Sequence, residues 1–336
     1  MKRMAILGAG SMLLAAALAA IPATAAGAQG AEELAKKLLV SAPFTGKGDN
    51  LPTDALSLNA CLTAATELKG VNEFDSCADQ NVGPVPESGK SPGYLQLTDT
   101  GDYDKGAAIY NHALPNKGGI EVTFAQYQYG GTGADGISFF LVDGDTDLTE
   151  PGALGGSLGY AQNENFDGVD GGYLGLGLDA WGNFSADTEG RGSGCPEDYR
   201  APSYLSVDRN RAPDNVALRG PGNGKEGYCL LATTATSEKI GEYAYGDIYG
   251  TDFPESLRAE TLADAKRVVK LKVTDGAHPK VTVDIDFMDG AGWTRVLEAT
   301  MPFEAPDTFK IGFASSTGRH TDVHLIRHLR VETFVE

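Results

Sequence analysis

Side chains that could bind a ligand occur in three separated stretches of the 336-residue chain. In the first, Asp135 stands between Ala134 and Gly136 and directly precedes an apolar run. A tight turn here could aim the Asp135 carboxylate at a pair of ligand hydroxyls, although an isolated Asp in such a sequence is more often a plain turn residue. The second stretch is a polar segment, residues 315–324, which could supply hydrogen-bond donors to the rim of a pocket.

The remaining stretch contains oxygen donors suited to calcium. Asp179, Asn183 and Asp187 lie within nine positions, and the backbone carbonyl of Trp181 falls between them. Ca²⁺ takes roughly six to eight oxygen ligands, so these groups and water could surround one ion. The alternative is an acidic turn that caps its own backbone.

Short apolar runs separated by glycine indicate the elements that must position these side chains. The 44 glycines fall between alternating or β-branched runs, a texture typical of antiparallel β-structure. In residues 280–287 the apolar side chains share one face, which a second sheet must cover. The sequence therefore predicts an all-β, antiparallel β-sandwich with strands at 119–127, 137–142, 173–179, 268–273, 280–287, 293–300, 308–314 and 323–332.

Minor helices and long loops complete the prediction. Helical spacing is confined to residues 31–39 and 254–264. Two insert-like segments, residues 63–92 and 189–255, separate predicted strands and contain cysteine. Four cysteines allow three pairings. Sequence order favours one disulfide for each long loop, and the pairs are Cys61 with Cys77 and Cys195 with Cys229.

The N-terminus and the net charge restrict compartment and partners. Lys2 and Arg3 precede an Ala-rich apolar run, which predicts a secretory signal peptide at residues 1–28 rather than a membrane anchor. Residues 29–336 then form a single secreted or cell-surface domain with no membrane insertion after signal removal. The formal net charge of −19 repels phosphate backbones, so nucleic-acid binding is not expected, whereas divalent cations and neutral sugars remain compatible.

Three motifs in this order resemble the L-type, or legume-lectin-like, lectin family over most of residues 40–334. They are the Ala-Asp-Gly turn at residues 134–136, the Asp-x-aromatic-x-Asn motif at residues 179–183 and the polar loop after residue 316. The resemblance implies the jelly roll of the concanavalin A-like lectins and glucanases, in a bacterial secreted branch. It further implies a non-catalytic protein that binds glycans with Ca²⁺, in surface adhesion or glycan recognition.

The resemblance also implies a role for individual residues of these motifs. Asp135, reached through a cis peptide bond from the preceding Ala, would accept hydrogen bonds from sugar hydroxyls, and Trp181 would stack on the sugar. Calcium would be held by Asp179, Asp187, the Trp181 carbonyl and Asn183, of which Asn183 also touches the sugar.

Further sugar contacts are implied at the rim. Backbone at Gly155 or Gly156 would approach the sugar closely, since glycine leaves room there. The specificity loop would choose the glycan, and its candidates are Arg319, His320, Thr321 and Asp322. A Mn²⁺ site is not implied, because Gly177 and Tyr204 stand where the family places its Glu and His.

Two other functions stay open. A glycoside hydrolase on the same fold needs two carboxylates around the scissile bond, but residues 175–179 contain a single acid, Asp179. A structural surface module that has lost sugar binding would not need four matched residues at separated positions. The glycan and the quaternary state are not specified by the sequence, and an oligomer is compatible with it.

Overall fold

Strands account for nearly all regular structure in the computed structural model, which describes residues 35–49, 51–70, 72–253 and 255–335. In chain order they are β1 (Ala35–Ala42), β2 (Ala55–Leu58), β3 (Cys61–Leu62), β4 (Leu95–Thr98), β5 (Lys105–Pro115), β6 (Ile120–Tyr129), β7 (Gly136–Asp143), β8 (Gly172–Asp179), β9 (Asn215–Arg219), β10 (Gly222–Asn223), β11 (Glu226–Gly227), β12 (Leu230–Thr233), β13 (Ala235–Tyr243), β14 (Gly246–Thr251), β15 (Arg267–Val273), β16 (Lys280–Asp286), β17 (Trp293–Thr300), β18 (Thr308–Ser316) and β19 (Val323–Val335). Within the described ranges, helix is limited to three short 3-10 segments, Gly155–Ser157, Glu197–Tyr199 and Ser203–Leu205. None of the described helices is long and apolar enough to span a membrane. The predicted signal peptide lies outside the described residues.

The strands of the described part form two large antiparallel sheets and one hairpin. An eight-stranded sheet has the order β17-β16-β15-β6-β19-β4-β3, with β1 also paired to β19. A nine-stranded sheet has the order β11-β10-β8-β7-β18-β5-β2, with β9 beside β8 and β12 beside β9. Strands β13 and β14 pair with each other. The all-β, antiparallel sandwich predicted from the sequence is confirmed, and all eight predicted strands are present.

The main core lies between the two sheets. Alternating residues of β6, β7 and β18 point inward, so that the rings of Phe124, Phe139 and Phe313 meet there. Their centroids are 4.9 Å apart for Phe124 and Phe313 and 5.2 Å apart for Phe139 and Phe313, in edge-to-face contact. Each sheet therefore supplies the cover that the other needs.

A second core lies on the opposite face of the nine-stranded sheet, under long loops. Tyr160 and Tyr228 are fully buried there, with ring centroids 5.4 Å apart. Phe184 packs so closely on β8 that a Cβ at Gly177 would lie 2.2 Å from its ring. Any side chain at position 177, a Glu included, would therefore displace the Phe184 ring.

Both disulfides favoured by sequence order are present. Cys61 is bonded to Cys77 and Cys195 to Cys229, across 16 and 34 positions. The second disulfide belongs to a segment that is more ordered than expected. Instead of one long loop, residues 189–255 contain six strands, β9 to β14, because β9 extends the nine-stranded sheet beside β8.

The two predicted helices are wrong where they are described. Residues 35–39 belong to β1, which pairs with the C-terminal strand from Ala35 opposite Val335. Long-range pairing overrides the local helical pattern here. Residues 255–264 are irregular, since their backbone N–H groups bond outside the segment: Leu257 donates to the Asp214 carboxylate and Ala259 to the Gln128 carbonyl.

Candidate functional site

Asp135 is fixed by its backbone at the junction of two loops. It precedes β7, and the Ala134–Asp135 peptide bond is cis, as the resemblance implied. Its N–H donates to the Ser316 carbonyl at 2.9 Å, and its own carbonyl accepts from Trp181 N–H at 2.8 Å. The Asp135 backbone therefore joins the end of β18 to the loop that follows β8.

The Asp135 carboxylate is poorly satisfied by the protein. It is 7% exposed, and the Ser316 hydroxyl at 3.4 Å is its hydrogen-bond donor among the described residues. Burial raises the pKa of Asp135 to about 7, and the nearby Asp179 carboxylate adds to this rise. A buried acceptor with one long hydrogen bond is costly, so donors from a ligand would be favourable here.

The glycine loop reaches the same place. Gly155 N–H donates to the Ser316 hydroxyl at 2.8 Å, and a Cβ at Gly155 would enter open space. Gly156 packs on Asn183, since a Cβ at Gly156 would lie 2.5 Å from the Asn183 Cβ. Contacts through Ser316 and Gly156 thus connect Asp135, the glycine loop and Asn183.

Trp181 lies among other ring and cationic side chains. The Arg211 guanidinium lies over its ring at 3.6 Å, and the His320 imidazole stacks at 4.4 Å with an interplanar angle of 24°. Tyr243 meets the Trp181 ring edge-on at 5.7 Å and bonds His320 at 2.8 Å through its hydroxyl. Thr132 bonds the other imidazole nitrogen at 3.2 Å. The His320 ring therefore stands against Trp181 in the way that the resemblance expected of a sugar.

The predicted calcium ligands are already engaged by the protein. Asp179 is fully buried, and its two carboxylate oxygens accept the N–H groups of Gly182 and Phe184 at 2.8 and 2.6 Å. Despite these bonds, burial raises its pKa to about 6. The Asp187 carboxylate pairs with Arg219 at 2.9 Å and accepts Ala201 N–H at 2.8 Å.

Of the last two predicted calcium ligands, the Trp181 carbonyl has a hydrogen-bond partner and the Asn183 side chain has none among the described residues. The Trp181 carbonyl accepts a hydrogen bond from Arg211 Nη1 at 2.8 Å. The Asn183 side chain alone of the set has no hydrogen-bond partner among the described residues. The described ranges also contain no group of three or more His, Cys, Asp or Glu side chains that could hold a metal ion. This donor set does not fit calcium, because Ca²⁺ needs roughly six to eight available oxygens.

The predicted specificity loop divides into an outer and an inner part. Arg319 is exposed, and its Nε donates to the Tyr103 hydroxyl at 3.2 Å. Asp322 is fully buried, where Arg258 bonds both its oxygens at 2.8 and 3.0 Å. Thr321 is also buried and bonds Thr132. Arg319 and His320 can thus face a ligand, whereas Asp322 anchors the loop from below.

Several residues of this region carry no signal in the sequence. Arg211, Arg219 and Tyr243 come from the segment read as a loop, and Tyr103 precedes β5. Their contacts with Trp181, Asp187, His320 and Arg319 span 30 or more positions, so no local spacing could connect them. Ser316 was visible only as a member of a polar run.

A separate cleft of about 1310 Å³ lies beside the site without containing Asp135 or Trp181. It runs between the loop closed by Cys61 and Cys77 and the segment that precedes Gly155. Most of its charged lining residues are acidic, and they are Glu73, Asp75, Asp79, Asp104, Asp147, Glu150, Asp167 and Asp170.

Known proteins resemble this chain in structure only. A scan against protein-family models finds no match, and a search of curated proteins finds none. Among solved structures, the Ca²⁺/Man3GlcNAc-bound VIP36 exoplasmic/lumenal domain is similar, with a TM-score of 0.44, 16% identity, and coverage of 74% of this chain and 83% of that one. Peanut lectin with a 9mer peptide has a TM-score of 0.46 and 17% identity, and the match covers 88% of this chain and 98% of that one. The Emp47p carbohydrate recognition domain has a TM-score of 0.47 and 12% identity, and the match covers 88% of this chain and 95% of that one.

Proposed function

We propose that this chain is a non-catalytic carbohydrate-binding protein whose glycan site centres on Asp135. The proposal rests on one observation: the predicted sugar-binding residues come from separate stretches of the sequence, and direct contacts join them in the structure. Ser316 bonds both Asp135 and Gly155, Trp181 bonds the Asp135 backbone, and Gly156 packs on Asn183. Four separate stretches of the chain thus meet around Asp135.

The available groups suit a polyhydroxylated, uncharged ligand. The Asp135 carboxylate can accept hydrogen bonds from two adjacent hydroxyls, which would also offset its burial. The free Asn183 amide can both donate and accept. His320 and Arg319 form the rim, so they are the candidates for glycan selection.

Two-carboxylate hydrolysis is not part of this proposal. A glycosidase needs a general acid and a second carboxylate that both reach the sugar. Asp179 is the acid whose charge most raises the pKa of Asp135. It is fully buried, however, and both its carboxylate oxygens accept hydrogen bonds from backbone N–H groups. Asp179 therefore supports the loop, and Asp135 is left as the one carboxylate of the pair with an oxygen available to a ligand.

We further propose that the chain acts outside the cell, as one domain from residue 29 onward released from a signal peptide at residues 1–28. The two disulfides support an oxidising compartment. A shallow single site would bind with about millimolar affinity, or roughly −4 kcal/mol, so adhesion would need several copies.

A glycan array tests the proposal directly. The wild type should retain a defined set of glycans, and Asp135→Asn should lose at least about tenfold in affinity because an NH₂ donor replaces one of the two acceptor oxygens and the charge is lost. Asp145→Asn removes an exposed carboxylate of the turn after β7 and serves as the matched control, which should bind like the wild type. Equal binding by Asp135→Asn, or no retained glycan at all, would refute the proposed site.

A further inference from the structure

Two arginines, the buried Arg219 and the half-buried Arg211, hold the loop after β8 in the manner of a metal ion. Arg219 is fully buried and donates to the carbonyls of Phe184, Ala186 and Tyr228 at 2.7, 3.0 and 2.8 Å. It also pairs with Asp187 at 2.9 Å. One guanidinium therefore binds three backbone oxygens and a carboxylate. Oxygen atoms of these kinds are also the ligands of a bound Ca²⁺ ion.

Arg211 performs the same task at the other end of the loop. It donates to the Trp181 carbonyl at 2.8 Å while its guanidinium lies over the Trp181 ring at 3.6 Å. Its backbone is held by the β13–β14 hairpin, since its N–H donates to Asp247 and its carbonyl accepts from Tyr249. A planar guanidinium can bond and stack at once, which an ammonium group cannot.

The local charges balance without a metal. Asp135, Asp179 and Asp187 face Arg191, Arg211 and Arg219, and Arg191 is also buried. The further acid beside Arg191, Glu189, is largely exposed to solvent. A divalent ion entering here would meet three guanidinium groups rather than uncompensated carboxylates, so its binding would be unfavourable.

We propose that Arg211 and Arg219 replace the calcium ion expected from the family resemblance, so that the site holds its loop and binds its ligand without metal. The part that concerns ligand binding rests on the proposed carbohydrate function. Both arginines act as positioning residues: they fix Trp181 and Asp187, while the sugar would contact Asp135, Asn183 and the rim.

Calcium alone tests the replacement, independently of any glycan. The chain has two tryptophans, so Trp293→Phe leaves Trp181 as the single tryptophan, whose emission can be excited selectively over that of tyrosine. After dialysis against EDTA, titration with CaCl2 should give no binding heat, no change in Trp181 emission and a Tm unchanged within about 1 °C. Saturable calcium binding with a rise in Tm of several degrees would overturn the proposal, whether or not a glycan ligand is found.

An arginine variant tests the positioning role in the same background. Arg211→Gln removes the charge and the stacked guanidinium, and it should shift Trp181 emission and lower glycan affinity about tenfold. Arg211→Lys keeps the charge and is the second variant if the first fails to fold; it should shift the emission as well. Arg295→Gln, at an exposed arginine of β17, is the matched control and should change neither property.

The outcomes separate this inference from the proposed function. If the array gives no ligand, but the protein ignores calcium and Arg211→Gln alters Trp181, the carbohydrate function is refuted and the arginine replacement is supported. If glycans are retained and EDTA abolishes their binding, the carbohydrate function is supported and the arginine replacement is refuted. An unchanged Trp181 spectrum in Arg211→Gln would also refute the role of Arg211.

Discussion

At the scale of single residues, the most consequential feature is a pair of neighbouring buried carboxylates. Burial and mutual repulsion raise the pKa of Asp135 to about 7, and burial raises that of Asp179 to about 6. For an acid with a raised folded-state pKa, the folded protein binds protons more readily than the unfolded chain. The contribution of Asp135 to the free energy of unfolding therefore becomes less favourable as pH rises from about 4 to about 7.

This sign gives a prediction in which stability and binding move in opposite directions. Asp135→Asn should raise the free energy of unfolding by about 1–3 kcal/mol near pH 8, because it removes a carboxylate that is forced to ionise in a buried place. At about pH 3, below the pKa of this group in both the folded and the unfolded chain, Asp135 is protonated in both states, so the gain should nearly vanish. Urea unfolding at both pH values measures it.

The exposed Asp145→Asn variant is the control for this measurement and should be neutral at both pH values. A less stable Asp135→Asn at pH 8 would mean that favourable contacts hold the carboxylate and outweigh its burial. The same variant is expected to lose glycan binding, so the site would keep an unstable charge for the sake of its ligand.

At the scale of elements, the segment between Cys195 and Cys229 decides the form of the site. It carries Arg211, Arg219 and strand β9, and the disulfide closes it across 34 positions. The Cys61–Cys77 disulfide closes a shorter loop of 16 positions, which supplies none of the hydrogen bonds given above for the described residues around Asp135. The two disulfides therefore offer a comparison between a loop that builds the site and one that does not.

Removal of each disulfide should affect stability similarly and binding differently. The double Ser variants at Cys195 with Cys229 and at Cys61 with Cys77 should each lose about 3–4 kcal/mol in the free energy of unfolding, because the unfolded chain gains freedom. Only the first should also lose glycan affinity, since it loosens the segment of both arginines. Denaturant titration and array binding of folded protein measure the two effects.

Equal binding by the two disulfide variants would contradict the assignment of the 195–229 segment to the site. A loss of binding in the Cys61 and Cys77 variant alone would instead point to the acidic cleft beside that loop as the place where the ligand binds.

At the scale of the whole molecule, both sheets depend on one core. Phe124 from the eight-stranded sheet meets Phe139 and Phe313 from the nine-stranded sheet, and no strand pair could keep this surface buried alone. The loops then cover the outer face of the nine-stranded sheet with a second core, which supports the site.

This dependence predicts a single cooperative unfolding transition for the mature chain. Calorimetry should give one peak whose calorimetric and van't Hoff enthalpies agree, because neither sheet can lose its partner and stay folded. Far-UV circular dichroism and Trp fluorescence should change at the same denaturant concentration. Two separated transitions would contradict the single domain proposed from residue 29 onward.

The sequence alone determined the sandwich, eight of its strands and the preferred disulfide pairing. Period-two alternation, as in residues 280–287, is a local property that sets which face is buried, so it survives whatever the rest of the chain does. The residues around Asp135, Trp181 and Asn183 could likewise be selected, because their motifs are short and continuous.

Only the tertiary structure determined which side chains contact the residues of those motifs. Arg211 reaches Trp181 across 30 positions, and Arg258 reaches Asp322 across 64, so no local pattern could show that a predicted calcium ligand or a predicted sugar contact was already engaged. The N-terminal segment read as helix became a strand for the same reason, because its partner is the far end of the chain. The physical cause is the same for the two arginine contacts and for the β1 strand. The residue types limit which partners are possible, but only the folded chain brings one of these partners into contact.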